Sequence, residues 1–171
     1  MPDFLNPLKI LEELELQDNM TAADFGCGSG GWTLPLAEKL DQGKVYALDV
    51  LPESLSALKS KAKSWKLINI ETRLADLEKR APLPDESCDL VLMTNLLFEC
   101  DDKKAVLREG KRVLKPGGRL LVVDWIKDNP LTKEIEFLSF EEIKNYAHEL
   151  GLKLEKEFPA GSYHHALVLV K

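Results

Sequence analysis

The chain has 171 residues, 44% of them hydrophobic and 30% charged, with a formal net charge of −6 and a pI near 5.2. That is the composition of a soluble globular chain, here read as a single domain over residues 1–171 with enough length for a sizeable core. The acidic balance argues against nucleic acid as the main partner, because neutralising phosphates needs a basic face. No apolar run approaches the ~20 residues that span a bilayer. Cys27, Cys88 and Cys100 are widely spaced and form neither a CxxC pair nor a zinc spacing, so no metal site is expected. Residues 1–19, broken by Pro2, Pro7 and acidic residues, do not read as a signal peptide, which together with the unpaired thiols places the chain in the cytoplasm.

In chain order, Leu8, Ile10, Leu11 and Leu14 give a short amphipathic helix over Pro7 to Leu14. Thr21 to Phe25 is the first strand, followed by a glycine-rich turn and a helix over Trp32 to Leu40. Lys44 to Val50 is the second strand, and Pro52, suited to a first helical turn, opens a helix to Trp65. The basic run Lys59, Lys61, Lys63 and Lys66 on that helix reads as a solvated face. Ile70 to Ala75 is the third strand, and Cys88 to Thr94 is a continuous apolar fourth strand of the kind covered on both faces.

Asp101 or Asp102 can cap the next helix, which runs to Leu114, and Pro116-Gly117-Gly118 forms a turn before a fifth strand over Arg119 to Trp125. Ser139-Phe140-Glu141-Glu142 is a capping box for a helix that Gly151 stops after Leu150. Lys153 to Phe158 and Ala166 to Val170 are two final strands joined by the loop Pro159 to His165. Five strands alternating with helices, then a hairpin too short for a crossover, predict an α/β fold. Its sheet is doubly wound, seven-stranded and mostly parallel, with an antiparallel last strand and helices on both faces.

The run Asp24-Phe25-Gly26-Cys27-Gly28-Ser29-Gly30-Gly31 marks a nucleotide-cofactor turn, where glycines let the backbone bend sharply and approach a ligand. Gly26-x-Gly28-x-x-Gly31 also fits the dinucleotide fingerprint. Asp24 separates the two readings. A pyrophosphate brings negative charge that a neighbouring carboxylate repels, whereas S-adenosylmethionine brings an ammonium and a sulfonium that it attracts. The structural alternative is that Asp24 caps its own turn or the following helix. Asp49 ends the second strand at the ~20-residue offset of an acid that takes ribose hydroxyls, a role common to both cofactors. Asp76, following the third strand, can accept from an adenine amine with Leu77 against the ring.

These segments together resemble the class I S-adenosylmethionine-dependent methyltransferases. Asp24 to Gly30 resembles their first motif, Leu48-Asp49 the acidic motif after it, Ala75-Asp76 the adenine-contact motif, Cys88 to Asn95 the motif around the fourth strand, and Leu114 to Leu120 the turn before the fifth. The terminal hairpin fits the same fold, and the resemblance runs in register from Leu8 to Val170. It is nearest to small-molecule enzymes of the type 11 group related to quinone-biosynthesis and arsenite methyltransferases. The Asn/Asp-Pro-Pro-Tyr/Phe run of amino-directed nucleic-acid enzymes is replaced by Thr94-Asn95-Leu96-Leu97, and no matching arsenite cysteine set is present.

The resemblance implies a Rossmann-like fold and methyl transfer from S-adenosylmethionine, with S-adenosylhomocysteine as product, to a small-molecule acceptor. It assigns Asp24, Phe25, Gly26, Cys27, Gly28, Gly30, Asp49, Val50, Ala75, Asp76, Leu77, Asn95 and Leu96 to the cofactor. The shortness of the chain leaves an acceptor that is either small and held by the first helix and three loops after the strands, or carried by a larger partner that docks on that edge. Candidates there are Asn95, Phe98, Glu99 and Asp101; then Asp124, Trp125 and Lys127; then Tyr163, His164 and His165, with His164, Tyr163 and Asp124 as the candidate catalytic groups. Strand alternation would send His164 and His165 to opposite faces. An exposed hairpin histidine, and an Asp124 that only holds a loop N–H, are the structural alternatives. Two other functions stay open: a non-catalytic S-adenosylmethionine-binding partner or regulatory subunit, and an NAD-linked oxidoreductase. The oligomeric state is open, a homodimer included.

Overall fold

The structure is a computed structural model that describes residues 4–126 and 139–171. Its centre is a seven-stranded sheet in the order β3-β2-β1-β4-β5-β7-β6, built from β1 (Thr21–Phe25), β2 (Lys44–Asp49), β3 (Ile70–Leu74), β4 (Cys88–Thr94), β5 (Leu114–Trp125), β6 (Lys153–Pro159) and β7 (His164–Val170). The first five strands are parallel; β7 runs antiparallel to both β5 and β6. The fold predicted from the sequence is therefore present.

Alternation along each strand divides the core between two faces. One face carries Ala22, Val45, Leu90, Leu92, Leu121, Val123, Ala166 and Val168. Helices α1 (Pro7–Glu12), α2 (Thr33–Lys39) and α3 (Pro52–Ser64) cover it. The other carries Ala23, Phe25, Leu48, Val91, Met93, Val122 and Leu167 under α4 (Lys103–Val113) and α5 (Phe140–Glu149). β4 is apolar from Leu90 to Met93 because it is buried there on both faces at the centre of the sheet, while Asp89 near its start accepts from Thr21 N–H and pairs with Lys115.

The helix starts follow the sequence. Asn6 Oδ1 accepts from the Leu8 and Lys9 N–H groups ahead of Pro7. Asp102 caps α4, and Ser139 and Glu142 close the expected capping box of α5.

Three boundaries differ from expectation by two residues or more. The first helix stops at Glu12, where Glu13 and Leu14 donate back three residues to Ile10 and Leu11, although Leu14 stays in the core. β5 begins at Leu114, and the Pro116-Gly117-Gly118 turn is an excursion within it: Cys88 pairs Leu114, but Leu90 pairs Arg119. β7 begins at His164, two residues early, because Trp125 pairs His164 and Ile126 N–H bonds the Tyr163 carbonyl, extending the ladder.

Candidate active site

A cavity of about 620 Å³ opens where β1 to β4 end, a volume suited to a small molecule. Topology places it there: from β1 the chain continues to β2 and β3 on one side, and β4 and β5 lie on the other, so the connections diverge and leave a crevice at the strands' C-terminal edge.

The glycine turn forms its floor. Gly26 and Gly28 have φ of 72° and 50°, a region that favours glycine. A Cβ on Gly26 would also lie 2.7 Å from Leu96 Cδ1. The Gly26 and Cys27 N–H groups both donate to the Leu48 carbonyl. Asp49, from the end of β2, clamps the turn: its Oδ2 accepts from Gly28 N–H at 2.8 Å and its Oδ1 from Leu51 N–H at 2.9 Å. Each oxygen keeps further acceptor capacity.

After β3 come Ala75, Asp76, Leu77 and Glu78 on the cavity wall. Asp76 Oδ1 accepts from Glu78 N–H at 3.1 Å, an Asx turn, and Lys79 beside its other oxygen holds its carboxyl below the usual range. Glu78 reaches across the cavity end and accepts from the Asp101 and Asp102 N–H groups. After β4 come Thr94, Asn95, Leu96, Glu99 and Cys100. Asn95 has φ of 50° and is held by its N–H on the Val123 carbonyl, while its Oδ1 is buried without a partner.

Asp24 lies beneath the turn, fully buried. Its Oδ2 accepts from Thr33 Oγ1 at 2.6 Å, and its Oδ1 has no partner. Burial pushes its carboxyl up to about 7; the Thr33 hydroxyl pulls the other way, and the charge of Asp49 adds to the rise. The wall therefore carries four carboxylates, from Asp49, Asp76, Glu78 and Glu99, and no Lys, Arg or His among the described residues.

Residues 23–122 match the family described as "Methyltransferase domain". The chain belongs to this methyltransferase domain family. It is 29% identical over 150 residues to a demethylmenaquinone methyltransferase of Shouchella clausii, covering 86% of this chain and 63% of that protein. It is 34% identical over 110 residues to one of Geobacillus stearothermophilus, covering 64% and 47%. The chain thus spans less than two thirds of the length of these relatives. Among solved structures, a SAM-dependent methyltransferase from Aquifex aeolicus superposes with a TM-score of 0.89 at 29% identity, over 97% of this chain and 89% of that one. The cyclase SpnF has the same fold at 16% identity and a TM-score of 0.85, over 96% and 79%.

Of the cofactor residues expected from the sequence, Gly26, Cys27, Gly28, Asp49, Val50, Ala75, Asp76, Leu77, Asn95 and Leu96 line the cavity of this methyltransferase domain. Asp24, Phe25 and Gly30 do not. Asp24 sits under the turn, Phe25 is fully buried in the core, and a Cβ on Gly30 would lie 2.5 Å from Leu58 Cδ1, so that glycine serves the packing of α3.

Ser29, Gly31, Trp32, Leu51, Ser54, Glu78, Thr94 and Cys100 also line the cavity. Thr94 and Ser54 were findable as the last strand residue and the first helical turn at the ligand edge. Glu78 was not, because its role depends on a loop 23 residues away.

On the acceptor side, Asp124 is buried on the α4 face. It accepts the Trp125 N–H at 2.8 Å and is also bonded by the Leu97 and Phe98 amides of the 3-10 turn Leu97–Glu99, so the structural alternative describes it. Burial pushes its carboxyl up to about 6 against those bonds. His164 is buried rather than exposed, and His165 sits on the other face against Phe140 and Glu157. Tyr163 is half-buried, immediately before β7. Lys127 lies outside the described residues. In the basic run on α3, Lys61 bonds Ser29 at the outer side of the turn.

Proposed function

We propose that the chain transfers a methyl group from S-adenosylmethionine to a small-molecule acceptor in the cytoplasm, with a hydroxylated aromatic ring such as a naphthoquinol as the acceptor class. The observation that carries this reading is the charge of the cavity. Four carboxylates line it without a basic side chain among the described residues, and on the same wall Asn95 Oδ1 is buried with no donor. Such a wall repels a pyrophosphate and suits a ligand that brings cationic charge and N–H donors. NAD(H) fits it poorly.

In this reading Asp49 takes the ribose hydroxyls, and Asp76 with Leu77 takes the adenine. The Gly26–Gly28 turn, with Asn95 above it and Asp24 below, receives the amino-acid end. S-adenosylmethionine, when bound, supplies a methyl carbon already activated by its sulfonium. The protein's part is to align the acceptor in line with that carbon and to exclude water during transfer. The S–CH3 bond breaks as the ring C–CH3 bond forms, and the acceptor, gaining CH3 in place of H, gives up one proton to a nearby group or to water. The acceptor class rests on the names of the demethylmenaquinone methyltransferase relatives. The fold alone cannot supply it, because SpnF, a cyclase, shares the architecture.

The test is anaerobic incubation with methyl-labelled S-adenosylmethionine and 1,4-naphthohydroquinone. Label is expected on the ring. Cofactor binding with no label transferred to this ring, or to any compound of a metabolite extract, would contradict the proposal and leave a non-catalytic binding subunit.

A further inference from the structure

His164 is a buried titratable group that the cofactor site does not use. It is 6% exposed, and its Nε2 has no hydrogen-bond partner. A buried polar nitrogen left without a partner is destabilising, so its presence asks for a reason.

The sheet register says where this nitrogen lies relative to the cavity. By alternation, Asp24 shares a face with Ala22, Thr94 with Leu90 and Leu92, Trp125 with Leu121 and Val123, and His164 with Ala166 and Val168. All four therefore stand on the α2 face at the strands' C-terminal edge, on the neighbouring strands β1, β4, β5 and β7. Thr94 pairs Val123, Val123 pairs Ala166, and Trp125 pairs His164. At ~4.8 Å per strand and one residue pair further along, His164 stands roughly 12 Å from Thr94. Trp32, at the start of α2, packs on the same face and lines the cavity together with Thr94. The Trp125 and His164 rings lie 4.0 Å apart at 37°. The row thus runs from the carboxylate end at Asp24, past Thr94, to an aromatic pair that holds one unanswered polar atom.

We infer that His164 is a specificity residue for the methyl acceptor: with Trp125 it forms the far wall of the acceptor site, and its Nε2 exchanges a hydrogen bond with a hydroxyl or carbonyl oxygen on a flat aromatic ring. The inference rests on the proposed methyl transfer and deepens it. Burial holds the imidazole below its usual pKa, so it is neutral near pH 7 and can serve such an oxygen without bringing a charge. A ring that stacks on the Trp125–His164 pair and reaches toward Thr94 would bridge the distance to the cofactor end. An acceptor with no polar atom at that end would leave Nε2 unpaired and be discriminated against.

The experiment uses the full chain, 1,4-naphthohydroquinone as acceptor probe, and the variants His164→Phe and His164→Gln. His164→Phe keeps the ring and removes the polar atom; His164→Gln restores a polar group near Nε2. The expected result for His164→Phe is a Tm equal to or above the wild type's, an S-adenosylhomocysteine affinity within twofold, and a KM for the probe raised at least tenfold with a smaller change in kcat. His164→Gln should recover most of the KM. A His164→Phe chain with KM within twofold of wild type overturns the inference. So does a Tm lowered in both variants together with loss of cofactor affinity, which marks a structural residue. If the wild type neither methylates nor binds the probe, the acceptor reading itself falls, and this inference with it. If the wild type methylates the probe and the Phe variant does so equally well, only the role of His164 falls.

Discussion

Asp49 and Asp24 sit a few residues from the same glycines but do different work, and substitutions separate them. Asp49 both clamps Gly28 and Leu51 and lines the cavity. On the proposed reading Asp49→Ala removes a ribose acceptor as well as loosening the turn, so calorimetry with S-adenosylhomocysteine should show affinity reduced at least tenfold; unchanged affinity removes Asp49 from that role. Asp24 acts through its buried charge. With its carboxyl raised from 3.8 to about 7, the native chain binds more protons than the unfolded one between those values. The contribution of Asp24 to the stability of the ligand-free protein therefore falls as pH rises from about 4 to about 7, while His164, lowered by burial, contributes in the opposite direction below its usual value. Asp124, raised to about 6, acts in the same direction as Asp24 over the lower part of that window. Asp24→Asn keeps an acceptor for the Thr33 hydroxyl and removes the ionisation. Urea unfolding at pH 5 and pH 8 should show a clearly smaller loss of stability in this variant than in the wild type; an equal loss would mean that Asp24 does not titrate in that window.

At the scale of elements, the glycine turn holds the edge on which the site is built, and a clasp around Arg112 holds the opposite edge, where β4 and β5 begin. Gly26→Ala combines a φ of 72° with a Cβ 2.7 Å from Leu96 Cδ1. It should cost roughly 1–3 kcal/mol and weaken cofactor binding, since Leu96 must move out of the cavity wall or the turn must open. Arg112 on α4 is mostly buried. It donates to Glu109, to Asp85 and to the Leu83 and Ala81 carbonyls, while Glu109 also accepts from Ala81 N–H. One guanidinium thereby ties the whole loop before β4 to α4. Arg112→Met leaves the Glu109 carboxylate without its partner, and a loss of roughly 3 kcal/mol in denaturant unfolding is expected. Arg112→Lys should recover little of it, because a single ammonium cannot reproduce the planar fork. Glu78 works differently: it joins the loop after β3 to the loop after the 3-10 turn, so it shapes the cavity end and not the core.

At the scale of the molecule, the sequence was legible where structure is decided locally or by strand burial. The apolar run of β4, the capping box of α5, Pro52 at the start of α3 and the glycine turn each carry their own signal, and together they mark the succession of strands and helices and the ligand edge. The unread parts are non-local. Asp24 looks like a site residue in sequence, but Thr33 packs against it and the turn folds over it, so it lies under the cavity and not on its wall. His164 looks like a loop residue until Trp125 pairs with it. Glu78 gains its role only once two loops meet. Among the described residues no helix is long and apolar enough to cross a membrane, and none of them form a cluster of three or more side chains suited to a metal ion. The most direct measurement is a calorimetric titration of the chain with S-adenosylhomocysteine and, in parallel, with NAD(H). Saturable one-to-one binding of the first and none of the second is the predicted result; binding of NAD(H) with none of S-adenosylhomocysteine would contradict the account.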